Sequence, residues 1–298
     1  MNILAHTQQQ HAGRFSAEWL ALREPYDVRA RNPAVLKALI DSLSGASSIR
    51  IADLACGTGS TLRALEPLLP IQQSWQLVDN DTGLLAHAST ATRRAAVTVT
   101  TEAADLNHNL EAVFDNPVDL VTISALLDLV SDAWLERLAR RLAAHSIPVY
   151  AALTYDGRVE LDPVEELDGV VVCAVNAHQR SDKGFGPALG PAAANCAITR
   201  LETLGYSALQ GTSDWEFGPN DRDIQFEILA SWARAALDIQ ALSLADTITW
   251  LTRRREAVAA GHSSIRVGHT DFFAAPSDGA ALMLNGIQSR SRRVDGLI

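Results

Sequence analysis

The carboxylate and the two glycines of the segment from Asp53 to Gly59 are well suited to bind a ligand. The apolar run at 49–54 predicts a buried strand, Gly57 and Gly59 predict a tight turn, and a helix is expected to follow. Such a turn exposes backbone amides and a helix N-terminus, to which a nucleotide-like ligand can come close. A dinucleotide fingerprint fits less well, because it requires a glycine three residues after Gly59, where Leu62 stands.

The sequence Asp-Leu-Ala-Cys-Gly-Thr-Gly at 53–59 resembles the first motif of the class I methyltransferases that depend on S-adenosylmethionine (SAM). The resemblance extends over residues 49–155 and continues beyond them only in the order of predicted strands. It implies SAM as the cofactor, with Ala55, Gly57 and Gly59 against its amino-acid part. Asp53 would fix the turn and face the cationic methionine end. The alternative is a tight turn without a ligand, which many α/β proteins contain.

Carboxylates follow the second and third predicted strands. Asp79 ends the second strand, 26 residues after Asp53, and precedes Asn80. A carboxylate at this position can accept two hydrogen bonds from ribose hydroxyls, and we assign both residues to the predicted cofactor site. Asp105 and Leu106, after the third strand, resemble the family's adenine contacts, with the carboxylate on the exocyclic amine and Leu106 against the ring. A turn-forming or loop role is the alternative for each carboxylate.

Ser124 and Arg31 complete the predicted cofactor site. Ser124 follows the fourth predicted strand, where the family places residues against the methionine part and the methyl group. Arg31 belongs to an N-terminal segment that the family often closes over SAM, and its guanidinium could bind the methionine carboxylate through two hydrogen bonds. A solvated arginine face that includes Arg29, with Tyr26 packed below it, is the alternative.

Three residues are candidates for catalysis. Transfer from a sulfonium is an in-line displacement, so the protein must hold the acceptor near the methyl group, exclude water and in some reactions remove a proton. His178 could act as a general base near neutral pH, while Asp128 and Tyr155 follow the fourth and fifth predicted strands and border the expected crevice. The alternatives are a helix C-terminal histidine and two structural residues. The loop near His178 offers further polar candidates for acceptor recognition: Asn176, Gln179, Arg180, Asp182, Lys183, Gly184 and Gly186.

The predicted elements define a doubly wound α/β fold, because strands alternate with helices through the first half. With the resemblance, they imply a mainly parallel, seven-stranded sheet. We expect an N-terminal helical cap at 1–48 and a SAM-binding domain at 49–298, with helical insertions at about 157–190 and 220–262 that form a lid. In the last predicted helix, Leu244, Ile248 and Leu251 are expected to face inward. The predicted strands lie at 49–54, 75–78, 97–100, 118–123, 147–153, 206–217 and 264–274.

Composition narrows the classes of partner. The net charge of −10 and a pI near 5.2 disfavour a nucleic acid, because phosphate binding requires a basic face. No apolar run reaches the roughly 18 residues of a membrane span. Three scattered cysteines form neither a disulfide framework nor a metal cluster, which favours the cytoplasm and predicts no metal. After the fourth strand, the segment Ser-Ala-Leu-Leu-Asp lacks the Asn/Asp-Pro-Pro-aromatic motif of enzymes that methylate base amino groups. It also contains no Pro-Cys pair, so methylation of a DNA base is disfavoured.

The hypothesis is a SAM-dependent methyltransferase that acts on an oxygen or nitrogen of a small molecule, with a homodimer left open. A catalytically idle SAM-binding or regulatory protein is the first alternative. A nicotinamide-dependent oxidoreductase is the second, and the missing third glycine and the lack of an evident Tyr-x-x-x-Lys pair count against it.

Overall fold

The computed structural model describes residues 15–90 and 95–277, and within them eight strands form one sheet. The order across the sheet is β3-β2-β1-β4-β5-β8-β6, and β7 also pairs with β8. The predicted α/β fold is confirmed. The strands are Ser48–Leu54 (β1), Gln72–Asp79 (β2), Val97–Ala103 (β3), Leu120–Ser124 (β4), Val149–Asp162 (β5), Tyr206–Thr212 (β6), Trp215–Phe217 (β7) and Ser264–Pro276 (β8).

The sheet has a parallel half and an antiparallel half. Strands β1 to β5 pair in parallel, whereas β8 runs antiparallel to β5, β6 and β7. Because β1 lies between β2 and β4, the chain reverses its direction of travel across the sheet at β1. This is the switch point at which open α/β sheets bind ligands, beyond the carboxyl ends of the strands.

The predicted strand at 206–217 consists of two strands, which makes eight strands rather than the seven expected. Ser213 and Asp214 interrupt it. The carboxylate of Asp214 accepts a hydrogen bond from the backbone N–H of His269 at 3.2 Å and pairs with Arg158 at 2.8 Å. A side chain that bonds to the backbone competes with strand pairing, so β6 ends before this point and β7 begins after it.

Ten α-helices occur in the described part of the chain. The second helix has a side-chain cap at its N-terminus. There Asn32 accepts hydrogen bonds from the backbone N–H groups of Ala34 and Val35, as its position before Pro33 predicts. The helices are Ala17–Ala30 (α1), Pro33–Ser42 (α2), Ser60–Leu65 (α3), Thr82–Thr90 (α4), Leu106–Asn109 (α5), Asp132–His145 (α6), Asp168–His178 (α7), Ala193–Thr203 (α8), Arg222–Asp238 (α9) and Leu244–Ala259 (α10).

Helices cover both faces of the sheet, as a doubly wound fold requires. One apolar cluster joins the sheet to α2, α3 and α9 through residues such as Leu39, Leu62 and Ile228. The cluster on the other face includes Leu138 of α6 and Ala197 of α8. None of the helices in the described residues is long and apolar enough to cross a membrane.

The packing of α10 corrects one expectation. Leu244 and Ile248 are 56% and 48% exposed, although their spacing predicts an inward face, while Leu251 is buried as expected. The buried side of α10 instead contains Arg254, whose guanidinium forms an ion pair with Asp168 of α7. This buried polar contact, which apolar periodicity cannot report, turns α10 about its axis.

Candidate cofactor and acceptor site

A cavity of about 300 Å³ lies at the switch point. One side, called here the strand-end wall, consists of residues from the segments that follow β1, β2, β3 and β4. The opposite side, called here the covering wall, comes from the N-terminal region and the segment after α7. The strand-end wall contains Ala55, Cys56, Gly57, Thr58, Ser60, Thr61, Asp79, Asn80, Asp81, Leu84, Ala104, Asp105, Leu106, Ser124, Ala125, Leu126 and Leu129; the covering wall contains Phe15, Leu20, Arg23, Asp27, Lys183, Gly184 and Phe185.

The glycine turn forms the centre of the strand-end wall. Ala55, Gly57 and Gly59 all have positive φ, which bends the chain sharply between β1 and α3. A Cβ at Gly57 would lie 3.1 Å from Leu20 Cδ1, so the missing side chain allows α1 to pack directly on the turn. Gly59 is not in the cavity wall. It faces Ala88 of α4, where a Cβ would lie at 3.3 Å, and thus permits close helix packing.

Asp79 ties the end of β2 to the glycine turn. Its carboxylate accepts hydrogen bonds from the backbone N–H of Gly57 at 2.8 Å and of Asp81 at 2.9 Å. Burial raises the pKa of this carboxyl above its ordinary value, and these backbone donors partly oppose the change. Asn80 follows it as an exposed part of the same wall.

The ends of β3 and β4 supply the remainder of the strand-end wall. Asp105 caps α5 by accepting from the backbone N–H of Asn107 at 2.9 Å, and the hydrogen bond with His108 lowers the pKa of its carboxyl. Leu106 is buried beside it, and Ser124 is half-buried at the end of β4. The structure thus brings seven of the predicted cofactor residues to one cavity: Ala55, Gly57, Asp79, Asn80, Asp105, Leu106 and Ser124.

Asp53 lies behind this wall and does not line it. Its side chain is fully buried between β1 and β4, where Oδ1 accepts a hydrogen bond from Thr122 Oγ1 at 2.7 Å. Oδ2 has no hydrogen-bond partner among the described residues. Burial raises the pKa of Asp53 to about 7 against the opposing effect of Thr122. Direct contact between Asp53 and the cofactor is therefore not what the geometry favours.

Arg31 also lies away from the cavity, which corrects the expectation of a carboxylate clamp at this position. It follows the last residue of α1, and its side chain turns inward between the N-terminal helices and the antiparallel half. Nη1 donates to the hydroxyl of Tyr150 at 3.1 Å. Burial lowers the pKa of the guanidinium, but Tyr150 and Asp271 outweigh it and raise this pKa above its ordinary value. Tyr26 and Arg29 fit their alternative role, since Arg29 stacks over the Tyr26 ring at 4.6 Å.

Arg23 and Asp27 are cavity residues that the sequence reasoning missed. Arg23 Nε donates to Asp27 Oδ2 at 2.9 Å, and the other carboxylate oxygen accepts from Trp215 Nε1 at 3.0 Å. The guanidinium stacks over the Trp215 ring with 5.1 Å between its carbon and the centroid. The sequence contains one indication of this pair, the i, i+4 spacing of opposite charges on a helix that has both polar and apolar residues. That spacing identifies a pair on a helix but does not indicate burial in a cavity.

The three predicted catalytic residues lie outside the cavity wall. Asp128 is buried, accepts from Gln179 Nε2 at 3.3 Å, and has a pKa that burial raises to about 6. Tyr155 donates its hydroxyl proton to Asn176 Oδ1 at 2.7 Å, and burial raises its pKa. His178 ends α7, as its alternative role requires, and Nδ1 lies 3.2 Å from Nζ of Lys183.

The segment after α7 closes one end of the cavity. Asn107 Nδ2 donates to the carbonyl of Gly184 at 2.9 Å, and the ring of Phe185 meets Trp134 edge-on with centroids 5.6 Å apart. This segment belongs to the first insertion expected to form a lid. No residue of the second insertion lines the cavity, because α9 and α10 pack with α7 on one face of the sheet. Within 15–90 and 95–277, no three His, Cys, Asp or Glu side chains are grouped to hold a metal ion.

Comparison with protein families identifies this arrangement. Residues 51–148, about a third of the chain, match the family model described as a methyltransferase domain. The matched segment begins in β1 and ends before β5, so it contains the whole strand-end wall. The match is to a methyltransferase domain over this segment, and the predicted resemblance to the SAM-dependent class I methyltransferases and the predicted cofactor are confirmed.

Several solved structures align with most of this chain. A cyclopropane-fatty-acyl-phospholipid synthase-like protein from Lactobacillus casei is 15% identical, with a TM-score of 0.51, 88% of this chain covered and 95% of that one. A cyclopropane synthase from Mycobacterium tuberculosis aligns at 12% identity, TM-score 0.48, covering 88% and 94% of the two chains. A SAM-dependent methyltransferase from Thiobacillus denitrificans, in complex with S-adenosylhomocysteine (SAH), aligns at 13% identity, TM-score 0.41, covering 88% and 99%. No curated protein matches the sequence.

Proposed function

We propose that this protein transfers the methyl group of SAM to an oxygen or nitrogen atom of a small molecule. The observation that carries the proposal is the cavity itself, in which the ends of four neighbouring strands face a wall with two cationic side chains. The acceptor would enter on the side of Arg23 and Lys183, opposite the glycine turn. The net charge of −10 makes a long polyanion an unsuitable acceptor.

In the proposed complex, the strand-end wall binds the nucleoside. Asp79 has about four lone-pair positions, and the two backbone N–H groups of the glycine turn and Asp81 leave capacity for ribose hydroxyls. Asp105 and Leu106 would contact adenine, by hydrogen bond and by apolar contact. The glycine turn and Ser124 would then face the methionine part, at the carboxyl ends of β1 and β4.

We assign the binding of the methionine carboxylate to Arg23 in place of Arg31. A guanidinium has five N–H donors, and the bond to Asp27 uses one of them. Arg23 is 9% exposed and lines the cavity, so a carboxylate bound there would be largely removed from water. Charge-assisted hydrogen bonds of this kind are stronger than neutral ones.

The test is calorimetric titration of the purified protein with SAH, with NAD as the control ligand. Micromolar binding of SAH without binding of NAD supports the proposal. Absence of SAH binding, or tighter binding of NAD, contradicts it. A second assay measures SAH release from SAM in the presence of pooled small molecules from a cell extract. Tight SAH binding without any release would support the idle, regulatory alternative instead.

A further inference from the structure

Lys183 is an unusual residue for this chain. The sequence has 25 Lys and Arg residues, and only Lys37 and Lys183 are lysines. Lys37 is 73% exposed in a surface pair with Asp41, whereas Lys183 is half-buried and lines the cavity. Of the two lysines, Lys183 is therefore the one in the cavity wall. The amine can release and accept a proton, while a guanidinium stays protonated.

Two further side chains connect this amine with solvent. Nζ of Lys183 lies 3.2 Å from Nδ1 of His178, and Nε2 of the same imidazole lies 3.6 Å from Oδ2 of Asp238. Asp238 is at the end of α9, and its side chain is 54% exposed. The three residues come from three different segments, and they form a line from the cavity to the surface.

The electrostatic setting permits proton exchange along this line. Burial lowers the pKa of Lys183, and the carboxylates of Asp238 and Asp128 oppose that change. Burial also lowers the pKa of His178. The positive charge of Lys183 lowers it further, and Asp238 opposes the change. An imidazole with its proton on Nε2 presents a lone pair on Nδ1 to the ammonium group, so the contact has a donor and an acceptor.

We propose that Lys183 accepts the proton released when the acceptor is methylated, and that His178 and Asp238 pass it to solvent. The inference rests on the proposed methyl transfer. In the step, an acceptor X–H forms the X–CH₃ bond while the bond between the methyl carbon and sulfur breaks, and the sulfur keeps the electron pair as SAH. Before the step, the ammonium of Lys183 passes a proton to Nδ1 of His178, and the proton on Nε2 leaves through Asp238. The neutral amine of Lys183 then takes the proton of X–H and becomes an ammonium again.

This assignment changes the role that the sequence suggests for His178. The imidazole does not reach the cavity wall, so it acts through Lys183 and is a positioning residue. Lys183 is the catalytic residue, because it is the member of the line that an acceptor in the cavity can touch.

The experiment uses the full chain grown with lysine labelled with ¹³C at Cε, which gives two lysine resonances that Lys37→Arg assigns. We expect the Lys183 resonance to titrate at lower pH in the folded protein than in urea. We expect SAH to shift the Lys183 resonance and leave that of Lys37 in place. In Lys183→Met the titration midpoint of His178 should rise, because a positive charge is lost, whereas Lys183→Arg should keep it low.

The outcomes separate the inference from the function on which it rests. Calorimetric SAH binding combined with an unshifted Lys183 resonance, or with a His178 midpoint that ignores Lys183→Met, overturns the inference alone. Absence of SAH binding overturns the proposed function and the inference together. In the SAH-release assay, Lys183→Arg should lower the rate about 100-fold or more, the usual contribution of a general base, while Lys37→Arg should not. Equal rates for the wild type and Lys183→Arg would also overturn the inference.

Discussion

The two walls of the cavity are built in different ways. The strand-end wall comes from loops after four neighbouring strands, and its members lie between residues 55 and 129. Parallel strands end at one edge of the sheet, so each loop is brought to the site by the same backbone ladder. The covering wall depends on side-chain contacts between distant segments: Asp27 binds Trp215 across 188 residues, and Asn107 holds Gly184 across 77. The strand-end wall thus depends on backbone geometry, and the covering wall on tertiary packing.

The largest expected effect concerns the packing that supports the covering wall. Arg254 is fully buried and forms an ion pair with Asp168, which also accepts from Trp250 Nε1 at 2.9 Å. We expect Arg254→Met to lower the free energy of unfolding by about 3–5 kcal/mol, because it leaves the Asp168 carboxylate buried without its counter-ion. Urea denaturation measures this change.

Arg253→Met is the matched control. The side chain of Arg253 is 56% exposed, and it forms a longer ion pair with Glu165, at 3.6 Å. Its loss should cost at most about 1 kcal/mol. If Arg254→Met also removed SAH binding from the folded protein at low temperature, the two walls would not be separable in the way that we describe.

The next effect concerns the strand-end wall alone. We expect Asp79→Ala to weaken SAH binding by about 1.5–3 kcal/mol, the value of hydrogen bonds to a charged group. Calorimetry gives the affinity directly. Asp119→Ala is the control, because Asp119 pairs with Arg50 near the amino ends of β1 and β4, away from the cavity. Equal affinities for wild type and Asp79→Ala would show that the ribose assignment is wrong.

The conformation of the glycine turn provides a smaller test of the same wall. Gly57→Ala places a Cβ on a residue with φ of +55°, 3.1 Å from Leu20 Cδ1. We expect a cost of about 1–2 kcal/mol in SAH affinity or in stability. Gly169→Ala, in α7, is the control: no atom lies within 4 Å of its Cβ, and alanine favours a helix. Indistinguishable results for the two variants would contradict the role of the turn.

The last prediction concerns pH. Because burial raises the pKa of Asp53 to about 7, the folded chain holds a proton that the unfolded chain releases near pH 4. The contribution of this bound proton to the free energy of unfolding is complete below about pH 4, and it is lost as the pH rises through about 7. We expect the difference in unfolding free energy between wild type and Asp53→Asn to fall by up to about 1.4 kcal/mol per pH unit between these limits. Parallel pH curves would show that Asp53 is ionised throughout.

The sequence was sufficient for the parts of the molecule with local signals. Hydrophobic runs located the parallel strands, and Asn32 with Pro33 located the start of α2. It was insufficient where polar contacts between distant residues decide the outcome. The break between β6 and β7 depends on Asp214 and its partners Arg158 and His269, and the orientation of α10 on Arg254 with Asp168. Apolar periodicity contains no information on such contacts.

The sequence by itself determined the strand-end wall of the cavity, since the glycine turn and the strand-end residues Asp79, Asp105 and Ser124 converge wherever parallel strands end together. Tertiary structure alone decided which cations reach the cavity. Arg23 and Lys183 line it, whereas Arg31 and His178, which have equally suitable chemistry, are held elsewhere by Tyr150 and by the end of α7. The physical reason is that a side chain's surroundings depend on every segment packed against it, and residue type and spacing describe only its own segment.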